Sequence, residues 1–423
     1  MNEIFSIETL CQQAKAASAV LAHIPTAQKN AALLNIAEQL WQERIEILDA
    51  NEADVAAARD NGLSEAMLDR LTLNEKRLAA IIDDLRHVTE LADPVGELLE
   101  EKTLPNGLHL RKVRVPLGVM AVIYEARPNV TVDVAGLALK SGNAVILRGG
   151  SETIRSNRAL AAVIQRGLKE TAIPADAVQL ISDTNRALVM ELLQMDRYVD
   201  IVIPRGGAEL HAFCRRNSRI PVITGGMGIC HLFVDESADL ERSIEVLRNA
   251  KVQRPSVCNA LDTALVHQAI AVQFLPRLVE ALSANGVTFR ADPAAYAILS
   301  TLNNPAVLPA GADDFDTEWL SLVLGIRVVS GVDEAIAHIA QHSTAHSDGI
   351  LTGDSANAAQ FVEQVDSAAV YVNASTRFTD GAQMGLGAEI AVSTQRLHAR
   401  GPMGLNELTT YKWIVQGDYT VRA

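Results

Sequence analysis

From Gly118 onward the chain alternates short, apolar, β-branched runs with stretches of helical periodicity, and this alternation restricts the fold more than any other feature. The first runs are Val119 to Tyr124, Ala144 to Leu147, Val178 to Ile181 and Ile201 to Ile203. A second series lies near His231 to Val234, Thr263 to Val266, Ile326 to Val329, Gly349 to Leu351 and Ala369 to Val372. Repeated strand–helix–strand units close as parallel sheets with right-handed crossovers, their faces covered by helices. Two series predict an α/β protein with two parallel-sheet domains. No repeat, low-complexity tract or long linker separates them, so the boundary is placed near residues 225 to 230 by the break Gly225-Gly226-Met227-Gly228.

Ahead of this region the pattern is helical. Ile7, Leu10, Cys11, Ala14, Ala17 and Leu21 fall on one helical face behind Ser6, a side chain suited to the N-cap, and Pro25-Thr26 opens a second periodic stretch through Leu40 and Ile47. Near residue 98 the period changes. Asn106-Gly107 lies between the strand-like flanks of Lys102 to Leu110, which predicts a β-hairpin. The unpaired edges of an exposed β-ribbon favour addition to another sheet, so a homodimer or larger symmetric assembly is expected.

At 423 residues the chain has room for two or three interlocking domains. Apolar residues make up 48% and aromatics 4%, which suits layered helices and parallel strands rather than an aromatic-rich β-sandwich. The formal net charge of -14 argues against a nucleic-acid partner and leaves any phosphorylated ligand to a few local arginines. Met1 to Gln13 lacks a basic segment followed by an apolar one, and no apolar run approaches bilayer length. A cytoplasmic location and no membrane association are therefore expected. Cys11, Cys214, Cys230 and Cys258 form no C-x-x-C pair and are too few for a disulfide framework, in keeping with a reducing compartment.

Neither Gly225-Gly226-Met227-Gly228 nor Gly385-Leu386-Gly387 completes a dinucleotide fingerprint. A better candidate for phosphate is Arg148-Gly149-Gly150-Ser151-Glu152, which follows a strand and opens a helix, where free backbone N–H groups attract anions. Arg205-Gly206-Gly207 repeats the arrangement, and two such junctions in one sheet point to a dinucleotide at its carboxyl edge. Among the cysteines, Cys11, Cys214 and Cys230 sit in helical or strand patterns and read as small core hydrophobes. Cys258 lies in the loop Arg254-Pro255-Ser256-Val257-Cys258-Asn259, with Lys251 and Arg254 near enough in sequence to favour a thiolate. Local context alone leaves it divided between a nucleophile and a structural thiol.

These residues bring a known family into view. Pro116-Leu117-Gly118-Val119, Arg127-Pro128-Asn129-Val130 and Ala138 to Arg148 follow in the order and spacing of the aldehyde dehydrogenase superfamily. Glu125 to Thr131, Arg148 to Glu152, Ile203 to Gly207, Arg254 to Asn259 and Leu397 to Gly404 resemble, within it, the branch that reduces glutamyl phosphate. The likeness covers nearly the whole chain. It implies an aldehyde dehydrogenase-like α/β fold, with residues 1–97 and 119–228 as an NADP-binding domain and 229–400 as a catalytic domain. Residues 98–118 and 401–423, with a strand near Thr409 to Val415, would form an oligomerisation arm.

The resemblance also implies chemistry: NADPH-dependent reduction of L-glutamyl 5-phosphate to L-glutamate 5-semialdehyde and phosphate, through a thioester on Cys258, in proline biosynthesis. Cys258 takes the nucleophile's position and Asn129 that of the amide stabilising the oxyanion. Arg148 matches a lysine that reaches the adenosine ribose, and a guanidinium there suits a 2′-phosphate, favouring NADPH over NADH. Ser151 and Glu152 follow it, Gly206 and Gly207 line the second junction, and Glu318 matches a glutamate that binds the nicotinamide ribose. Arg127 and Arg254 flank the two catalytic motifs and are candidates for the substrate's α-carboxylate, against a solvated or ion-paired role. No metal is expected.

One departure is informative. Hydrolytic relatives carry a general-base glutamate two positions before a Gly-Gly pair, where this chain has Ile223 before Gly225-Gly226. An isoleucine activates no water, so the thioester is left for phosphate or hydride. A glutamate kinase is the one macromolecular partner suggested besides further copies of the chain. Two other readings stay open: an enzyme of the same superfamily acting on an acyl-CoA or an unphosphorylated aldehyde, which a phosphate requirement would separate, and a silent nucleotide-binding scaffold, which thiol alkylation would expose.

Overall fold

The computed structural model describes residues 6–422. They form two compact units. The first runs to Thr224 and takes in Gly385–Ala391 and the chain from Met403, and the second comprises Gly225–Met384 and Val392–Pro402. The division falls between Thr224 and Gly225, and the late returns of the chain carry no sequence signal. They are made by backbone pairing: Ile390 N donates to Met403 O and Met403 N to Ala391 O, at 2.9 and 2.8 Å.

In the first unit Ser6 caps the helix Ile7–Leu21, its Oγ accepting from Thr9 N at 3.3 Å. The periodicity that reads as continuous from Thr26 through Ile47 is broken at Glu43, giving the helices Thr26–Gln42 and Arg44–Asp60. Glu43 leaves helical geometry (φ -95°, ψ 15°) and its carboxylate pairs with Arg166. The first of these helices buries Leu33, Ile36, Ala37 and Leu40 almost completely, each large side chain contributing about 1.5–3 kcal/mol. Gly167 lets the helix Ile154–Lys169 come close, since a Cβ there would lie 3.2 Å from Ile36 Cα.

The hairpin pairs β1 (Leu98–Thr103) with β2 (His109–Pro116) through a turn in which Gly107 has φ +84°. Next come β3 (Val119–Tyr124), β4 (Ala144–Arg148), β5 (Val178–Leu180) and β6 (Ile201–Arg205), a parallel sheet in the order β5-β4-β3-β6. The chain leaves β3 in one direction and returns on its other side as β6. Such a reversal opens a crevice at the carboxyl ends of the strands, where ligands of open α/β sheets bind.

The second unit is built on β7 (Cys230–Val234), β8 (Leu261–His267), β9 (Thr288–Ala291), β10 (Val307–Pro309), β11 (Val323–Val329), β12 (Ser347–Leu351) and β13 (Ala369–Val372). These form one parallel sheet in the order β10-β9-β11-β8-β7-β12-β13. Strands β9 and β10 escape the sequence pattern because they are short, of 4 and 3 residues, and lie toward the sheet's edge. Because β7, β8 and β11 are adjacent and parallel, the loops entering them share one edge. A small ladder of β14 (Val392–Ser393) and β15 (Gly401–Pro402) completes this unit. In the first unit, β16 (Thr409–Gln416) joins β2, giving a three-stranded sheet β1-β2-β16. Among the described residues no helix is long and apolar enough to cross a membrane.

Candidate active site

In the first unit the loops leaving the carboxyl edge carry the residues of interest. After β3 come Glu125, Ala126 in a left-handed conformation (φ 39°) and the exposed Arg127. Asn129 opens the helix Asn129–Lys140, and its Nδ2 donates to Asp133 Oδ2 at 2.8 Å. That bond engages one of the two amide N–H groups and orients the side chain. Burial pushes the Asp133 carboxyl up to about 6, with the bond from Asn129 opposing the shift.

After β4 a run of buried hydrogen bonds places the turn. Tyr124 OH lies 2.7 Å from Thr131 Oγ1, Thr131 donates to Asn157 Oδ1 at 3.0 Å, Asn157 Nδ2 to Thr153 Oγ1 at 2.8 Å, and Thr153 to Gly150 O at 3.1 Å. Glu152 accepts from Ala126 N at 2.7 Å and so ties the two loops together, while Ser151 is exposed. Arg148 directs Nη1 to Gly149 O (2.8 Å) and Nη2 to Thr184 O (3.1 Å), and its buried Nε has no hydrogen-bond partner among the described residues. Both prongs of its guanidinium thus meet backbone carbonyls. At the second junction Gly207 N donates to Glu125 Oε2 at 3.1 Å, so the anion at that helix start is the chain's own carboxylate, with Gly206 packed beside it.

These loops border a cavity of about 850 Å³ lined by Arg148, Ser151 and Glu152 and also by Asp54, Arg155 and Arg186. The sequence reading missed the last three. Asp54 is buried and pairs with Arg155 Nη1 at 3.3 Å. Arg186 is exposed and has no ionic partner among the described residues. Its signal was available, since it follows β5 in the polar turn Asp183-Thr184-Asn185 at the same sheet edge. A cavity of this size, with an unsatisfied Arg148 Nε and a free guanidinium at its wall, fits the anionic part of a nicotinamide dinucleotide.

In the second unit, Cys258 lies in the loop entering β8 and Gly228 in the one entering β7. The two backbones touch: a Cβ on Gly228 would fall 1.6 Å from Cys258 O. Cys230 Sγ donates to the same oxygen at 3.2 Å. Gly228 N donates to Glu318 Oε1 at 2.9 Å, so this carboxylate, from the loop entering β11, joins the nucleophile's surroundings. Glu318 is half-buried rather than an exposed loop acid, and burial raises its carboxyl above the ordinary range.

Cys258 is half-buried, whereas Cys11, Cys214 and Cys230 are buried. Burial pushes Cys11 up to about 12, with Glu8 adding to the effect, pushes Cys214 up to about 11 and holds Cys230 well above its ordinary value. Those three thiols stay protonated. Lys251, expected to lend charge to the Cys258 loop, is instead fully buried and pairs with Asp262 at 3.3 Å. Burial lowers the lysine and lifts Asp262 to about 6, against their mutual attraction. Arg254 is exposed. A second cation, Arg377, comes from a segment the sequence did not flag, with Nε donating to Gln253 Oε1 at 2.9 Å. In the first unit Ile223 is buried, its N–H on Val202 O at 2.9 Å.

Comparison with known proteins matches residues 5–296 to the aldehyde dehydrogenase family. The chain is 59% identical over 418 residues to a gamma-glutamyl phosphate reductase of Aeromonas salmonicida, covering 99% of this chain and 100% of that one. It is 56% identical over 418 residues to the protein of the same name from Pasteurella multocida, covering 99% of each. The crystal structure of gamma-glutamyl phosphate reductase from Thermotoga maritima superposes with a TM-score of 0.96 at 49% identity, over 99% of this chain and 100% of that one. An acetylating aldehyde dehydrogenase of Geobacillus thermoglucosidasius shares the fold, with a TM-score of 0.70 at 17% identity over 99% and 97% of the two chains.

Proposed function

Since the chain belongs to the aldehyde dehydrogenase family, and within it to the γ-glutamyl phosphate reductases, we propose that it reduces L-glutamyl 5-phosphate to L-glutamate 5-semialdehyde and phosphate, a step of proline biosynthesis. The observation that carries this reading is the setting of Cys258, a half-accessible thiol whose carbonyl is gripped by Gly228 and Cys230 while three other thiols are buried and protonated. The Cys258 thiolate attacks the acyl carbon, the C–O bond to phosphate breaks, and a thioester forms. Asn129 is the amide assigned to the developing oxyanion; Asp133 positions it and leaves one N–H to donate. NADPH, when bound, supplies the hydride that reduces the thioester to the aldehyde. Arg148 and Ser151 would hold its phosphate-bearing part, with Arg186 available to a 2′-phosphate, and Glu318 its nicotinamide ribose, while Glu152, Gly206 and Gly207, engaged by the chain's own groups, shape the loops beside it. Release of the aldehyde returns the thiolate.

Ile223 removes the base that would hydrolyse the thioester, so the reverse reaction is expected to wait for phosphate. The test is the steady rate of NADPH formation from glutamate semialdehyde and NADP⁺, with phosphate removed and then restored at constant pH and ionic strength. One NADPH per site followed by phosphate-dependent turnover is expected; fast sustained turnover without phosphate would overturn the reading. The sheet β1-β2-β16 is assigned to self-association, supported by its exposed Leu98, Tyr411, Trp413 and Val415.

A further inference from the structure

The segment Thr376–Thr379 is clasped to the nucleophile loop from both sides of Cys258. On the carboxyl side, Asn259 Nδ2 donates to Thr379 O at 2.8 Å and to Arg377 O at 3.5 Å, and Thr376 Oγ1 donates to Asn259 O at 2.7 Å. On the amino side, Gln253 Oε1 accepts from Arg377 Nε at 2.9 Å. Thr379 is itself anchored, with its Oγ1 2.6 Å from Ser347 Oγ and 2.7 Å from Tyr371 OH. The clasp holds the Arg377 side chain by Nε alone. Both Nη groups are left without a hydrogen-bond or ionic partner among the described residues.

Arg377 is a half-buried guanidinium with an idle fork in a chain whose net charge is -14. The charged groups that act on Arg377 are Arg254, which is exposed, the Cys258 thiolate and Asp380. Burial, followed by Arg254, weakens its hold on a proton, and Cys258 and Asp380 partly offset this. Two cations therefore act on each other beside the nucleophile, and neither makes an ion pair among the described residues. Like charges are kept close at a cost unless an anion visits them.

Resting on the functional reading above, we propose that Arg377, with Arg254 beside it, binds an oxyanion of the substrate next to Cys258. The shared chemistry is a forked grip on two coplanar oxygens, and the substrate has two such sources, its phosphoryl group and its α-carboxylate. Arg377 is thus a specificity residue that retains substrates carrying such an oxyanion over those that lack it.

The experiment compares wild type, Arg377→Gln and Arg377→Lys in the oxidation of glutamate semialdehyde with NADP⁺, separating the KM for phosphate from that for the semialdehyde. A second readout, independent of turnover, is the protection of Cys258 from iodoacetamide by inorganic phosphate and by glutamate. For Arg377→Gln, the KM of one anion is expected to rise at least tenfold with kcat changed less than threefold, the same anion should lose its protection, and lysine should restore part of both. A phosphate effect identifies the phosphoryl group and a semialdehyde effect the carboxylate. Gln253→Ala, which frees the Arg377 Nε without removing the charge, should move the same KM by a smaller factor. Unchanged KM values with unchanged protection, or a fall in kcat alone, would overturn the proposal. Were the wild type to lack phosphate-dependent turnover, the functional reading would fall and the protection assay would still decide the role of Arg377.

Discussion

The two units build their candidate sites by different means. In the first, the residues bordering the cavity come from the ends of parallel strands and the helix starts that follow them, so Arg148, Ser151 and Glu152 are neighbours in the chain as well as in space. In the second, the environment of Cys258 is assembled from distant segments: Gly228 and Glu318 are 90 residues apart, and Asn259 and Arg377 are 118 apart. A binding edge made of strand ends tolerates local adjustment. A nucleophile loop pressed against other backbones does not, and substitutions should reveal that asymmetry.

The largest effect is expected at the nucleophile. Cys258→Ser should lower turnover by at least about a thousandfold while cofactor binding and the far-ultraviolet spectrum stay near wild type. Serine at Cys11, Cys214 or Cys230 should change only the thermal midpoint. Appreciable reductase activity in purified Cys258→Ser protein would remove the basis of the comparison.

Next in size is Gly228→Ala. Its Cβ would fall 1.6 Å from Cys258 O, so one backbone must move. Misplacing a nucleophile by ~1 Å costs ~100-fold in kcat, and the accompanying strain should destabilise the fold by ~1–3 kcal/mol. Wild-type kcat in this variant would mean that the contact does not position the thiol.

A smaller effect is expected in the first unit. Arg148→Ala should raise the KM for NADPH by ~10-fold, from loss of one charge-assisted interaction, and that for NADH by less. The Arg148 Nη groups already hold Gly149 O and Thr184 O, so equal losses for both cofactors would assign this arginine to bracing the turn. Arg186→Ala would then be the variant that discriminates between them.

The smallest effect concerns pH. Burial lifts the Asp133 carboxyl from 3.8 to about 6, so the folded chain holds this proton more tightly than the unfolded one. The stability tied to it is fully present below pH 3.8 and is lost as pH rises through about 6. Urea denaturation of wild type and Asp133→Asn should show the balance shifting toward the variant by about 2 kcal/mol between pH 4 and 7. A difference independent of pH would show that Asp133 ionises as readily folded as unfolded.

Much of the fold was legible from sequence because a parallel strand buried on both faces must be a continuous apolar run, as Val119–Tyr124 is, and the apolar edge strand Ala369–Val372 was likewise read to the residue. The N-cap at Ser6 and the Asn-Gly hairpin were equally local. Of the candidate site, the strand-to-helix junctions and the singular position of Cys258 could be read, since each is a pattern of neighbouring residues. The break at Glu43 and the short edge strands β9 and β10 could not, because an ion pair across helices and pairing to an existing sheet decide them. The same holds for chemistry. Sequence placed Lys251 beside Cys258 by proximity along the chain, and the tertiary structure buried it against Asp262 and brought in Arg377 from the far side of the sheet's sequence. Charge acts through space, and the distances that count are set only when β7, β8 and β11 line up their entering loops at one edge.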